Sequence, residues 1–426
     1  MVDRRGRCGE RCYKTDLALA VVKHLRSAWR RAGKLVLGFV LGAIVTAGFG
    51  LGLPWCRARR AEAVYALHID VPSSGPGLAN AVYQTLGVRL QAGHHIELLD
   101  NGAVFDALIG DISRARRSVH IVMYIWEKGR ASDRVSAALI ERARAGVACR
   151  LVIDDFGSAD FAKDVQPALS AAGCEVRLFR PQPAVDALAR NHRKIAVVDG
   201  VVAYTGGFGV RDNWLGDGVH GEAWRDSNVR FTGPAVHDAQ QAFAENWQEA
   251  GGALLPDTAF PAPDASGPAT AAFVASTASP VVTRAERLSQ LVIAAATRRL
   301  WITNAYLVPS RAIFELLLSK ARSGVDVRIL VPGIKSDSKP ALVMQHKEYP
   351  ELLGAGVRVW EYTPSMIHAK TMLADDELAV VGSINLDPLS LNKLEESALL
   401  INDRKLTAEL TRRFEADVRQ ANELTR

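Results

Sequence analysis

The chain has 426 residues, 48% hydrophobic and 23% charged, an ordinary globular composition. That excludes a disulfide-stapled mini-protein, a disordered chain and a polytopic membrane protein, and leaves room for two or three domains. A formal net charge of +6 points first to nucleic acid, but placing the charge along the chain removes that reading.

Residues 1–34 hold ten Lys and Arg against Asp3, Glu10 and Asp16, so this tail carries +7 and the rest of the chain −1. Within it, residues 17–29 have the pattern of an amphipathic helix whose cations would lie on anionic headgroups. Residues 35–55 are uncharged and bracketed by Lys34 and Arg57, which fits one transmembrane helix across a core about 30 Å thick. The charged lead-in is long for a cleaved signal, so an uncleaved anchor is expected. The positive-inside rule then puts the N-terminus in the cytoplasm and the body on the far side of the cell (inner) membrane.

Beyond the span the chain repeats itself. Arg142-Ala-Arg-Ala-Gly146 and the apolar run to Asp154 match Lys320-Ala-Arg-Ser-Gly324 and the run to Pro332. Each is a helix end, a glycine cap, then a buried strand. Upstream, Arg117 to Tyr124 matches Arg299 to Tyr306; downstream, Val176 to Phe179 matches Val357 to Trp360. Strands alternating with helices predict an α/β unit built twice, over residues 90–250 and 281–426. The Pro-, Ala- and Gly-rich residues 251–280 between them have linker composition. Five cysteines are too few and scattered for a disulfide framework; Cys149 and Cys174 sit in apolar runs and read as buried small hydrophobes, with no metal site expected.

Each unit ends in the same pattern. The first is Asn191-His192-Arg193-Lys194 with Asp199 and Gly206-Gly207; the second is His368-Ala369-Lys370 with Asp375 and Gly382-Ser383. One such match arises by chance at roughly a few in a hundred for this composition, and two at matched places in a repeat far less often. On extended chain, His and Lys two residues apart face the same side. Two histidines and two lysines brought together suit a phosphodiester: one imidazole attacks phosphorus, the other moves the proton, and the ammonium groups meet the phosphate oxygens. No cofactor is implied.

The paired motifs resemble the phospholipase D superfamily, most closely its bacterial cardiolipin synthase branch. Gly206-Gly207, Trp224-Arg225-Asp226 and Asn385 to Leu391 are similar to runs of that branch. The resemblance implies two α/β domains on a pseudo-twofold axis, with the active site in the seam. It implies phosphatidyl transfer through a phosphohistidine, phosphatidylglycerol serving as donor and acceptor. It makes His192 the nucleophile and His368 the acid/base, with Lys194 and Lys370 beside them. Asp199 and Asp375 complete the motif's catalytic set, although as residues they read first as securing the turn after each strand. Gly207, Ser383 and Asn385 would lie on the phosphate side, while Asp226 and Glu396 would orient the histidines. One departure stands out: the family often has Asn seventeen residues after the first histidine, where this chain has Gly209. Asn213, Asn228 or a water is left to replace it. Tyr124 and Tyr306 read equally as core and as pocket lining, whereas Trp214, Trp224 and Trp247 read as core ahead of a lipid interface.

The partners expected are a phospholipid and the membrane, with no nucleic acid and no inferable protein. The main rival keeps the fold with water as acceptor, as a lipid hydrolase or nuclease. A scaffold without catalysis is disfavoured, because both His and both Lys are intact.

Overall fold

A computed structural model describes residues 67, 71–181, 188–279 and 281–425. The tail, the amphipathic segment 17–29 and the span at 35–55 lie outside these residues. Among the described residues no helix is long and apolar enough to cross a membrane.

The strands are β1 (Gln91–Asp100), β2 (Ser118–Met123), β3 (Ala148–Asp154), β4 (Glu175–Phe179), β5 (Ile195–Val198), β6 (Val202–Gly206) and β7 (Ser227–Thr232) in the first half. In the second half they are β8 (Ala269–Ser276), β9 (Arg299–Thr303), β10 (Asp326–Pro332), β11 (Arg358–Tyr362), β12 (Thr371–Ala374), β13 (Leu378–Gly382), β14 (Glu396–Asn402) and β15 (Ala421–Glu423). They pair in one continuous order, β15-β11-β10-β9-β12-β13-β14-β8-β1-β7-β6-β5-β2-β3-β4. Read outward from the β1·β8 pair, each half runs through four antiparallel pairings into three mutually parallel strands, and β15 adds an antiparallel edge beyond β11. The two orders, 1-7-6-5-2-3-4 and 8-14-13-12-9-10-11, correspond strand for strand, so the sequence repeat is a pseudo-twofold about the β1·β8 seam.

Local chemistry explains the matching elements. The helices Arg130–Arg144 and Arg311–Arg322 each end at a glycine with positive φ, Gly146 and Gly324. At both, the next residue's N–H returns to a carbonyl five positions back, Val147 to Arg142 and Val325 to Lys320, which turns the chain into β3 or β10. Thr283 caps its helix by accepting from Glu286 N–H at 3.1 Å, and Asp403 caps the last long helix through Leu406 N–H at 2.9 Å. β2 is buried along its whole length, as a strand covered on both faces must be.

Two expectations are corrected. The stretch 251–280 is not all linker, because Ala269–Ser276 is β8, the strand that carries the seam. Helices Ala235–Glu249 and Arg284–Ala295 cover it, and alanine is what fits between them. Cys149 and Cys174 are buried but joined in a disulfide with Cα atoms 4.7 Å apart. The parallel register pairs Arg150 with Glu175, which sets the two preceding cysteines side by side.

Candidate active site

Both histidines stand just before a short strand rather than inside one. β5 begins at Ile195 and β12 at Thr371. Upstream, each backbone pairs with the opposite half instead of its own sheet: Asn191 bridges Glu395, and Ile367 bridges Arg225. His192 N–H donates to Glu395 O at 2.8 Å, and His368 N–H to Arg225 O at 2.6 Å. These two bridges are pseudo-symmetric and lock the seam. Arg225 is itself buried and anchored by Asp417 at 2.9 Å.

The consequence is a crossed arrangement. Glu396, next to Glu395, belongs to the second half yet holds the first-half histidine: His192 Nδ1 lies 3.0 Å from both carboxylate oxygens. Asp226, next to Arg225, belongs to the first half and holds His368 Nδ1 at 2.9 Å. A carboxylate at Nδ1 fixes the proton there and turns the Nε2 lone pair outward. Among the described residues neither Nε2 has a hydrogen-bond partner. Each acid is held in turn. Ser383 and Ser390 hydroxyls donate to the two oxygens of Glu396, and Trp214 Nε1 donates to Asp226 Oδ2 at 2.7 Å.

Lys194 and Lys370 repeat the symmetry, each ammonium donating to the carbonyl of the histidine two residues before it. Burial pulls Lys194 down to about 7 and Lys370 to about 8, against the pull of the Glu396 and Asp226 carboxylates. Burial also lowers His192 and His368, with the lysine charges adding to it, so both imidazoles are neutral near pH 7. Asp226 stays ionised: burial opposes this, but the bonds from His368 and Trp214 and the Lys370 charge outweigh it. The site therefore offers two neutral imidazole nitrogens and two nearby ammonium groups, all four side chains buried.

The remaining expected residues fall in different places. Asn385 is buried, and its side-chain carbonyl has no hydrogen-bond partner among the described residues. Ser383 gives its hydroxyl to Glu396, so it supports the carboxylate rather than a phosphate. Gly207 has a spatial reason: a Cβ there would lie 2.3 Å from Asp226 Oδ1, so only glycine leaves room for the acid. Asp199 and Asp375 do not reach the imidazoles. Asp199 accepts from the N–H groups of Arg116, Arg117 and Ser118, and Asp375 from those of Thr297, Arg298 and Arg299. They tie the far ends of β5 and β12 to the starts of β2 and β9, a four-residue strand away from the histidines.

The structure brings into the site two tyrosines that the sequence left undecided and a tryptophan that it read as core, which Trp214 also is. Tyr124 packs edge-on to His192 at 4.9 Å, with Lys194 Nζ 5.2 Å from its ring centre. Tyr306 lies 6.4 Å from His368. Trp214 packs edge-on to His368 at 5.3 Å and answers the Gly209 departure. A Cβ at Gly209 would stand 3.1 Å from the Trp214 ring, so the indole fills the space an Asn would take. Asn228 instead accepts from Phe208 N–H at 3.1 Å. The matched tyrosines of the repeat were the signal for the first two; nothing local marks Trp214.

Two matched halves that share one strand order and one crossed pair of His–acid contacts define a two-motif phospholipase D-like architecture. The chain belongs to the family described as cardiolipin synthase, PLD-like domain, whose model matches residues 108–247 and 291–418. It is 34% identical over 395 residues to cardiolipin synthase A of Pseudomonas fluorescens, covering 88% of this chain and 77% of that one. It is 31% identical over 342 residues to cardiolipin synthase 1 of Bacillus cereus, covering 77% and 67%. A solved phosphatidylserine synthase from Haemophilus influenzae shares the fold at a TM-score of 0.63 and 13% identity, over 81% of this chain and 91% of that one.

Proposed function

We propose that the protein is a membrane-anchored cardiolipin synthase, transferring a phosphatidyl group from one phosphatidylglycerol to another. The observation that carries this is the crossed pair of carboxylate-held imidazoles, each with a free Nε2 and a neighbouring ammonium. In the first step the entering anionic phosphate, with Asp226 at Nδ1, draws a solvent proton onto His368 Nε2. His192 Nε2 bonds to phosphorus as the P–O bond to glycerol breaks, and the His368 Nε2 proton passes to the glycerol oxygen. In the second, a hydroxyl of another phosphatidylglycerol gives its proton to His368 as its oxygen bonds to phosphorus and the P–N bond breaks. Lys194 and Lys370 meet the phosphate oxygens in both transition states. Their lowered pKa values rise when the anionic phosphate enters, so binding itself charges them. Asn385, with an unpaired carbonyl, is placed by the same reading on the alcohol, where it accepts a hydroxyl hydrogen.

The finer organisation belongs to this reading: a basic cytoplasmic tail at 1–34, one span at 35–55, and the two catalytic domains beyond it. The Cys149–Cys174 disulfide supports a body outside the cytoplasm, since such bonds persist in oxidising compartments. A reporter fused after Arg426 tests it, and a cytoplasmic signal would reverse the topology.

The test of function is direct. The full-length protein in detergent should convert phosphatidylglycerol into equal amounts of cardiolipin and glycerol, undiminished by EDTA. His192→Ala and His368→Ala should each abolish both products. Phosphatidic acid in place of cardiolipin would assign water as the acceptor, and activity surviving both substitutions would remove the mechanism.

A further inference from the structure

The repeat that duplicates the catalytic motif also duplicates an exposed apolar side chain. The run after β3, Asp154-Asp155-Phe156-Gly157-Ser158, aligns with the run after β10, Pro332-Gly333-Ile334-Lys335-Ser336. Phe156 is 59% exposed and Ile334 81%. A single exposed hydrophobe needs no explanation, but two at symmetry-equivalent positions, one in each half, do.

Each loop is tied to the surroundings of one of the two histidines. Phe156 N–H and Gly157 N–H donate to Asp154 Oδ1 at 3.0 Å each, while Asp154 Oδ2 accepts from Asn191, the residue before His192. Gly157 abuts Tyr124, which packs on His192. Across the seam, Asp337 accepts from the Tyr306 hydroxyl at 2.8 Å, and Tyr306 packs toward His368. Lys339 Nζ holds Ile334 O at 2.6 Å, and Lys335 Nζ holds Pro364 O at 2.6 Å. Each loop is thus fastened to its histidine's surroundings, and its apolar side chain is held outward rather than folded down. Next to Ile334 the helix Lys339–Ala355 exposes Val343 and Met344, with Lys335, Lys339 and Lys347 exposed around them.

We propose that Phe156 and Ile334 are a matched pair of lipid anchors that seat the seam of the two halves on an anionic bilayer surface, with Val343 and Met344 extending the contact. At Ile334 the apolar tip stands among exposed lysines beside the exposed acid Asp337, and at Phe156 the Arg190 guanidinium lies 5.7 Å from the ring centre. Such an interface takes up the apolar side chains at the headgroup–acyl boundary while the exposed cations meet lipid phosphates. One anchor beside each histidine turns the site toward the headgroup layer, so that a phospholipid reaches it without leaving the membrane entirely. This rests on the reading above that the substrate is a phospholipid.

The test uses the full-length protein in phosphatidylglycerol vesicles whose acyl chains carry bromine, a short-range quencher of indole. Phe156→Trp and Ile334→Trp are compared with Val201→Trp, an exposed position in the turn beside Asp199 at the opposite end of the strands. Anchors lie about 5–10 Å into the interface, so each loop indole should lose about half its added emission or more, and the one at 201 almost none. Loop quenching no greater than that at 201 overturns the proposal, as it would if a second copy of the chain covered the loops. Cardiolipin formation by the wild-type protein is scored separately in the same vesicles. Product without loop quenching removes the anchors and leaves the transferase; quenching without product removes the transferase and leaves a lipid-docking surface.

Discussion

Changing Glu396 to Gln tests whether the acid of one half controls the histidine of the other. The amide keeps the shape of the carboxylate but cannot accept at both ends. Glu396 takes hydrogen bonds from Ser383 and Ser390 as well as His192 Nδ1, at 3.0 Å to each oxygen. With the two hydroxyls already donating, the amide NH2 turns toward a donor or toward Nδ1. In the second case the imidazole proton moves to Nε2 and the nucleophilic lone pair is lost. A wrong tautomer in intact geometry costs about 10³–10⁴-fold in turnover, or about 4–5.5 kcal/mol. Asp226→Asn should do the same to His368, so steady-state rates alone do not separate the two. A phosphatidyl ester of p-nitrophenol does, because its leaving group departs without a proton. With Asp226→Asn this substrate should still release a burst near one equivalent of p-nitrophenol, followed by slow turnover. With Glu396→Gln the burst should vanish. A burst that survives Glu396→Gln, or disappears only with Asp226→Asn, refutes the crossed assignment.

Lys194 and Lys370 are charged below their lowered pKa values of about 7 and 8 and lose that charge above them, so kcat/KM should fall through pH 7–8. The limb in kcat should lie at higher pH, because bound phosphate raises both groups, and coincident limbs would contradict this. The acid limb should sit below pH 6.5, since His192 must shed its proton to attack and burial lowers its pKa. Trp214→Phe keeps the ring against His368 but removes the donor to Asp226, which should lower kcat about 10-fold, a loss of about 1–2 kcal/mol, with the fold intact by circular dichroism. Replacing both Cys149 and Cys174 with Ser opens a 25-residue loop, which should cost about 3–4 kcal/mol and lower Tm by roughly 5 °C in a calorimetric scan without changing kcat.

The repeat and both histidine–lysine pairs were legible because they rest on residue identity at fixed spacing, which survives folding unchanged. Glu396 and Asp226 were also legible as orienting acids, but their partners were not. The crossing depends on the Asn191–Glu395 and Arg225–Ile367 bridges, contacts between halves that no local pattern encodes. The Cys149–Cys174 bond was hidden for a related reason: the two lie 25 positions apart, and only the parallel β3·β4 register makes them neighbours. β8 escaped because a strand squeezed between two helices is built from alanine, whose composition resembles a linker. Asp199 and Asp375 were legible as residues that secure the turn after each strand, and the structure shows them doing that through backbone N–H groups of the neighbouring strand starts. Trp214 read as core because burial and function are the same observation for an indole whose one polar atom reaches an acid.

The central claim is a phosphatidyl group carried on a histidine of one half and oriented by an acid of the other. It is tested most directly by acid-sparing quench of the full-length protein during turnover of phosphatidylglycerol, followed by proteolysis and tandem mass spectrometry. The mass of a phosphatidyl group should appear on the peptide containing His192 and be absent from His192→Ala. The same mass on His368, or none on either histidine while cardiolipin is being made, would contradict the account.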